Sequence, residues 1–284
     1  MVLFLKLINT IITMINKIIR SKIRYKIARI IKNYFIKLDD SSILKKKIYI
    51  VFYFYKNFSP KRIKNTLKSI KFYSSFIKKG DLCFDIGANV GDYALKFLLL
   101  GAKVICVEPE EKNLKKLSLR YSINKSVSIV PMALSDTEGD SELFVCTNAT
   151  TISTLSEKWK NDGRFSNNYT WDFIQKVQTT TLDKLIKIYG LPKFCKIDVE
   201  GFEYNVLKGL SRKIPYISFE ITREFFDNAI KCINYLIELG YVKFNFFYSK
   251  IQDLYFSSWV NKSVLIDAIT NIDDDLLGGD IFSF

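Results

Sequence analysis

Asp85, Gly87, Asn89 and Gly91 fall within seven consecutive positions of the stretch DLCFDIGANVGDYALKF, residues 81–97. Apolar residues flank them on both sides, so the pattern reads as a strand that turns tightly into a helix. In an open α/β sheet the crevice at such a turn is the ligand site. Glycines there let a ligand approach the backbone without a Cβ in the way, and the helix start offers free N–H groups. The ligand's chemistry follows from the remaining letters. No G-x-x-x-x-G-K-[ST] phosphate loop is present. The dinucleotide pattern G-x-G-x-x-G also fails, because Asn89 stands where the middle glycine admits a pyrophosphate. Asp85 and Asp92 would repel phosphate further. A ligand with a cationic amine and no phosphate fits, and S-adenosyl-L-methionine is of that kind. Glu108, ending VICVEP, lies the right distance beyond the turn to accept hydrogen bonds from ribose hydroxyls.

A second constellation lies in KIDVEGFEYNVLKGL, residues 196–210. Asp198 stands at a strand end and Glu200 begins the turn into the next helix. This i, i+2 pair shares a side if the strand persists. Glu220, ending YISFE, is a third acid at the same rim. The chain has no histidine. That removes Ser-His-Asp and Cys-His devices and the commonest general base. Proton transfer then falls to carboxylates, Lys, Tyr, Cys or water, which makes Asp198, Glu200 and Glu220 the candidate catalytic bases. Hard cations prefer oxygen ligands, so Asp198 and Glu200 could hold a divalent ion, but no metal is expected. The five cysteines form no C-x-x-C pair, which argues against disulfide or zinc scaffolds and for a reducing cytoplasm.

These residues need a scaffold, and the pattern from residue 81 onward supplies one. Strand-like runs such as DLCFDI, KVICVEP, VSIVPMALSD, VQTTT, FCKIDVEG, YISFEIT and YVKFNFFY alternate with helical runs, one of them capped near Thr181. Such alternation predicts an α/β fold, a mainly parallel sheet with helices on both faces. SELFVC reads as a side strand. Residues 147–176 read as an irregular, substrate-facing insertion in which Trp159, Tyr169 and Trp171 can stack on an acceptor. NIDDDLLGGD near the end reads as an acidic loop or tail.

The first 80 residues differ in kind. They hold 20 of the 43 basic residues against two acids, Asp39 and Asp40, and the first glycine is Gly80. The boundary is therefore expected between a basic helical extension, 1–79, and a catalytic domain, 80–284. Isoleucines at helical spacing with interspersed bases predict an amphipathic helix over residues 2–37, suited to peripheral contact with an anionic membrane or to packing. The apolar run 48–55 fits a short buried helix. Residues 59–80 read as a helix with Ser59 as cap and Pro60 first. No segment has the apolar length of a spanning helix. Nucleic acid is a poor fit as partner, and the oligomeric state is not fixed by these features. The expected location is the cytoplasm, or the inner face of its membrane.

FDIGANVGDYAL, CVEPE, MALSDTEGDSELFV, TTTLDKL and KIDVEGFEYNVLKGL occur in this order and together resemble the FkbM family of S-adenosylmethionine-dependent methyltransferases, over roughly residues 70–245. The first motif is shared with many class I methyltransferases, whereas KIDVEG-E is more specific. The resemblance implies a Rossmann-like seven-stranded sheet and O-methylation of a hydroxyl on a small-molecule, sugar or glycan acceptor. Carried over residue by residue, it implies that Asp85, Gly87, Asn89 and Gly91 hold the methionine part, that Glu108 holds the ribose, and that Ala133 and Leu134 flank the adenine. The competing expectations are an NAD-dependent oxidoreductase and an inactive methyltransferase-fold adaptor.

Overall fold

The structure, a computed structural model, describes residues 60–251 and 253–284. The expected helix over 2–37, the apolar run 48–55 and the Ser59 cap lie outside the described residues. Two compact units are present. Among the described residues, the smaller holds 60–68 and 118–123, both mainly helical. The larger holds 69–117 and 124–284 and carries every site residue named above. It thus begins ahead of the boundary expected at Gly80, because Tyr73, Phe76 and Ile77 are buried in it.

In chain order, α1 (Pro60–Tyr73) leads to β1 (Leu82–Ile86), α2 (Asp92–Leu99), β2 (Lys103–Val107), α3 (Glu111–Tyr121) and β3 (Val127–Val130). An excursion follows through β4 (Ala133–Leu134), β5 (Gly139–Val145), a 3-10 turn at Thr150–Ile152, α4 (Glu157–Asp162) and β6 (Phe173–Thr180). The alternation resumes with α5 (Leu182–Tyr189), β7 (Phe194–Ile197), α6 (Glu203–Lys208), β8 (Tyr216–Thr222) and a 3-10 turn at Arg223–Phe225. It closes with α7 (Phe226–Glu238), β9 (Phe244–Tyr248), β10 (Asp253–Leu254), α8 (Lys262–Thr270) and β11 (Gly278–Ser283). As expected, the Thr181 hydroxyl accepts from Lys184 N at 3.1 Å and caps α5.

The main sheet runs β10-β9-β11-β8-β7-β1-β2-β3. β3, β2, β1, β7 and β8 are parallel, and β11 is antiparallel to both its neighbours. The main sheet thus has eight strands where seven were expected; β6, from the run VQTTT, lies outside it, and β11 and the two-residue edge strand β10 were not read from the sequence. Two further readings change. VSIVPMALSD is not one strand, since β3 ends before Pro131 and β4 pairs with β6 in a separate three-stranded sheet, β4-β6-β5. Proline lacks the N–H that a continuing ladder needs. The supposed acidic tail supplies β11, a central strand. Its Gly279 fits because a Cβ there would stand 2.0 Å from the Phe247 carbonyl oxygen.

The two faces of this sheet carry different chemistry. One is apolar throughout: Phe84, Ile86, Val107, Ile197, Phe219 and Ile281 share a single buried cluster with α5, α6 and α7. At about 1.5–3 kcal/mol per buried large side chain, this cluster is the main source of stability. On the other face Tyr73, Phe97, Phe194 and Phe282 meet ring to ring at 5.2 to 6.3 Å. There Asp85 sits beside Lys196 in register, and Asp280 beside Glu220. Apolar packing thus fixes the sheet, and the second face delivers charged groups to its carboxyl rim.

Candidate active site

The turn after β1 closes over the neighbouring strands. Gly87 N and Ala88 N donate to the Val107 carbonyl at 3.0 and 2.9 Å, while Asp198 N donates to the Ile86 carbonyl at 3.0 Å. Gly87, Asn89 and Gly91 all have left-handed backbone, with φ of 76°, 51° and 80°. Asparagine tolerates that region better than most residues, so Asn89 replaces a glycine without the usual strain. Gly87 has a stronger requirement. A Cβ there would lie 1.7 Å from the Asp198 carbonyl oxygen. Its glycine therefore admits the neighbouring strand end, a requirement the sequence does not show.

A cavity of about 550 Å³ opens beside this turn. Its walls include Gly87, Asn89, Glu108, Ala133, Leu134, Asp198 and Glu200. The chain segment Thr150–Leu155 completes one side, so the insertion does face the cavity. Glu108 is buried and doubly engaged: Asn89 N donates to one carboxylate oxygen at 2.7 Å and Glu110 N to the other at 2.9 Å. Burial raises its pKa to about 7, against the opposing pull of those two N–H groups. Glu110, not anticipated from the sequence, accepts from Asn113 N at 2.7 Å, and Thr150 reaches Asn113 Oδ1 at 2.8 Å. This chain of contacts fixes the insertion to the start of α3.

Two of the expected cofactor residues are not on the cavity wall. Asp85 is buried beneath the turn and accepts from Ala94 N at 3.0 Å, which ties the turn to α2. Burial raises it to about 7. Gly91 stands at the N-cap of α2. The aromatic residues of the insertion also divide. Trp159 is buried, Trp171 spends its N–H on the Ile152 carbonyl at 2.9 Å, and Tyr169 is exposed.

Asp198, Glu200 and Glu220 converge, with one carboxylate oxygen of each within 4.8 Å of the other two. Glu200 adopts φ 56°, and its carbonyl accepts from Thr154 Oγ1 at 2.7 Å, which holds this unusual backbone. Burial, then repulsion from Asp198, raises both Glu200 and Glu220 well above the ordinary carboxylate range. Glu220 faces a second, smaller cavity instead of the first.

Lys196 organises this cluster and was not foreseen. It is fully buried, yet its Nζ lies 2.6 Å from Asp280 and 3.2 Å from Asp198. Burial disfavours its charge, but these two carboxylates outweigh that and hold the pKa well above its usual value. The available signal was a lysine inside the apolar strand FCKI, a position that needs a buried partner.

No curated protein matches this sequence. Among solved structures, the chain is similar to precorrin-6y C5,15-methyltransferase from Geobacter metallireducens, at 9% identity, covering 77% of this chain and 85% of that one with a TM-score of 0.41. A SAM-dependent O-methyltransferase from Thermotoga maritima matches at 11% identity, over 78% and 64%, with a TM-score of 0.38. Aeropyrum pernix fibrillarin, with natively bound S-adenosyl-L-methionine, matches at 9% identity, over 74% and 68%, with a TM-score of 0.36. The Methyltransferase FkbM domain matches residues 85–246, more than half the chain and the whole span from Asp85 past Glu220, and the chain belongs to that family.

Proposed function

We propose that this chain transfers the methyl group of S-adenosyl-L-methionine to a hydroxyl of a sugar, glycan or natural-product acceptor. One observation carries the reading: a single cavity joins the left-handed turn and Glu108 on one side to Asp198 and Glu200 on the other. The turn and Glu108 receive the methionine and ribose parts. The acidic side suits both the cationic sulfonium and a hydroxyl that must lose a proton.

In the transfer the acceptor oxygen bonds to the methyl carbon as the carbon–sulfur bond breaks. The electron pair returns to sulfur, leaving a neutral thioether, and the hydroxyl proton passes to a carboxylate. Holding the two reactants in line supplies much of the rate, and a positioned base contributes about 10²–10⁴-fold. Raised pKa values make Glu200 and Glu220 stronger proton acceptors, once ionised, than ordinary carboxylates. Among the described residues no helix is long and apolar enough to cross a membrane.

The deciding experiment supplies S-adenosylmethionine labelled in its methyl group to a cell-envelope extract and identifies the product. Label in an acid-stable ether of a glycan is expected and should fall about 10²–10⁴-fold with Glu200→Gln or Glu220→Gln. Calorimetric binding of NAD in place of S-adenosylmethionine would sink the reading.

Glu108 also gives a pH signature. Ribose hydroxyls donate more strongly to an ionised carboxylate, so cofactor affinity should tighten as pH rises through about 7. The effect on stability has the opposite direction. Between about 4.5 and about 7 the folded chain keeps a proton that the unfolded chain releases, so this group's contribution declines as pH rises. Glu108→Gln should flatten both profiles, read by calorimetry and by urea unfolding. A wild-type affinity flat from pH 6 to 8 would remove Glu108 from the ribose site.

A further inference from the structure

β8 alternates strictly. Ile217, Phe219 and Ile221 enter the apolar core, while Ser218, Glu220 and Thr222 share the other face. Pairing of Ile197 with Phe219 brings Glu220 alongside Asp198, just past the end of β7. The resulting trio of carboxyl groups has too few cations beside it for all three to ionise readily together. Lys196 is engaged by Asp198 and Asp280, and Arg164 is engaged by both oxygens of Glu224, at 2.7 and 2.8 Å. Among the described residues, no hydrogen bond or ion pair reaches the Glu200 or Glu220 carboxylate.

A second observation is independent of that charge. The small cleft that Glu220 faces is also lined by Thr222 and Trp159. Thr222 is 6% exposed and its Oγ1 has no partner, while Trp159 is 2% exposed and its Nε1 has none. Thr222 follows Glu220 by two residues, so its hydroxyl opens on the same side. Leaving such a group unmatched costs about 1–3 kcal/mol, which marks the cleft as built for a polar occupant.

We propose that Asp198, Glu200 and Glu220 form a binding site for a hard divalent cation of the Mg²⁺ or Mn²⁺ class, with the Thr222 hydroxyl accepting a hydrogen bond from a metal-bound water. The donor set is all oxygen, as such ions require, and they commonly keep several waters beside a few carboxylates. The ion neutralises the mutual repulsion of the trio. It stands where Asp198 and Glu200 also line the larger cavity, so an acceptor hydroxyl bound to it loses its proton more readily. Only this last role rests on the methyl-transfer reading. The sequence offers Asp198 and Glu200 as oxygen ligands without an expected metal, and the β7–β8 pairing adds Glu220 to them.

The test titrates the full chain with Mn²⁺ alone, without cofactor or acceptor, following free Mn²⁺ by electron paramagnetic resonance. One ion per chain with a Kd below about 1 mM is expected. Glu200→Gln and Glu220→Gln should each weaken it tenfold or more, and Thr222→Val several-fold. Glu220→Asp, which keeps the charge, should bind better than Glu220→Gln. Asp136→Asn, at a surface ion pair with Lys208, should change nothing. Absence of wild-type binding below 10 mM overturns the proposal, as does wild-type affinity retained in both glutamine variants. Calorimetry with S-adenosylmethionine on the same preparation shows separately whether the cofactor reading holds.

Discussion

Gly87→Ala should abolish cofactor binding and lower stability by at least about 3 kcal/mol, a loss reserved for backbone conflicts and disrupted cores. Two costs combine. The residue is held at φ 76°, where a Cβ costs about 1–2 kcal/mol. That Cβ would also lie 1.7 Å from the Asp198 carbonyl oxygen and 2.8 Å from its carbonyl carbon. These are backbone atoms of a central strand end, with no rotamer by which to yield. The turn and the end of β7 must separate, and both line the one cavity. Urea unfolding and calorimetry with S-adenosylmethionine check this. A variant with unchanged midpoint and near-native affinity would show that the strand end moves freely. Gly91→Ala is the informative companion, since it meets the left-handed cost at a residue that does not line the cavity.

Lys196→Met should destabilise the fold by about 3–5 kcal/mol, the usual result of removing one partner of a buried ion pair. The lysine is fully buried on a central strand and faces Asp198 and Asp280, with the Tyr93 ring 5.2 Å from its ammonium. Methionine fills similar volume, so the loss reports charge rather than a cavity. Adding Asp280→Leu should recover part of the stability, because one uncompensated carboxylate is then gone. It should not recover methyl transfer, since Asp198 still lacks the cation that orients it. Denaturant unfolding of the single and double variants, with activity on the same preparations, separates the two effects. A double variant with full activity would show that Lys196 serves stability alone.

The legibility of the site followed its locality. Asp85, Gly87, Asn89 and Gly91 form one turn, and their spacing was enough to place them after a strand and before a helix. Glu108 and the Asp198–Glu200 pair were readable because each ends a strand of the same parallel sheet. What each residue does at its place was less readable. Asp85 was expected on the ligand and instead ties the turn to Ala94 N. Gly87, expected to admit a ligand, lines the cavity and also has to admit the Asp198 carbonyl. The first contact closes within the turn and the helix after it, and the second needs β7 to pair beside β1, which a local pattern does not state.

The amino-acid sequence by itself determined the class of the fold, the position of the glycine turn, the carboxylates at strand ends and the absence of histidine chemistry. These depend on periodicity, composition and short-range spacing, which the chain states directly. Tertiary structure alone decided that GGDIFS is a central strand, that Asp280 meets Lys196, that Trp159 is buried, and that Glu220 closes on Asp198 and Glu200. Each of these is a meeting of residues far apart in the chain. It is settled by sheet register and by burying one apolar face, and a one-residue shift of register would send every such side chain to the opposite face.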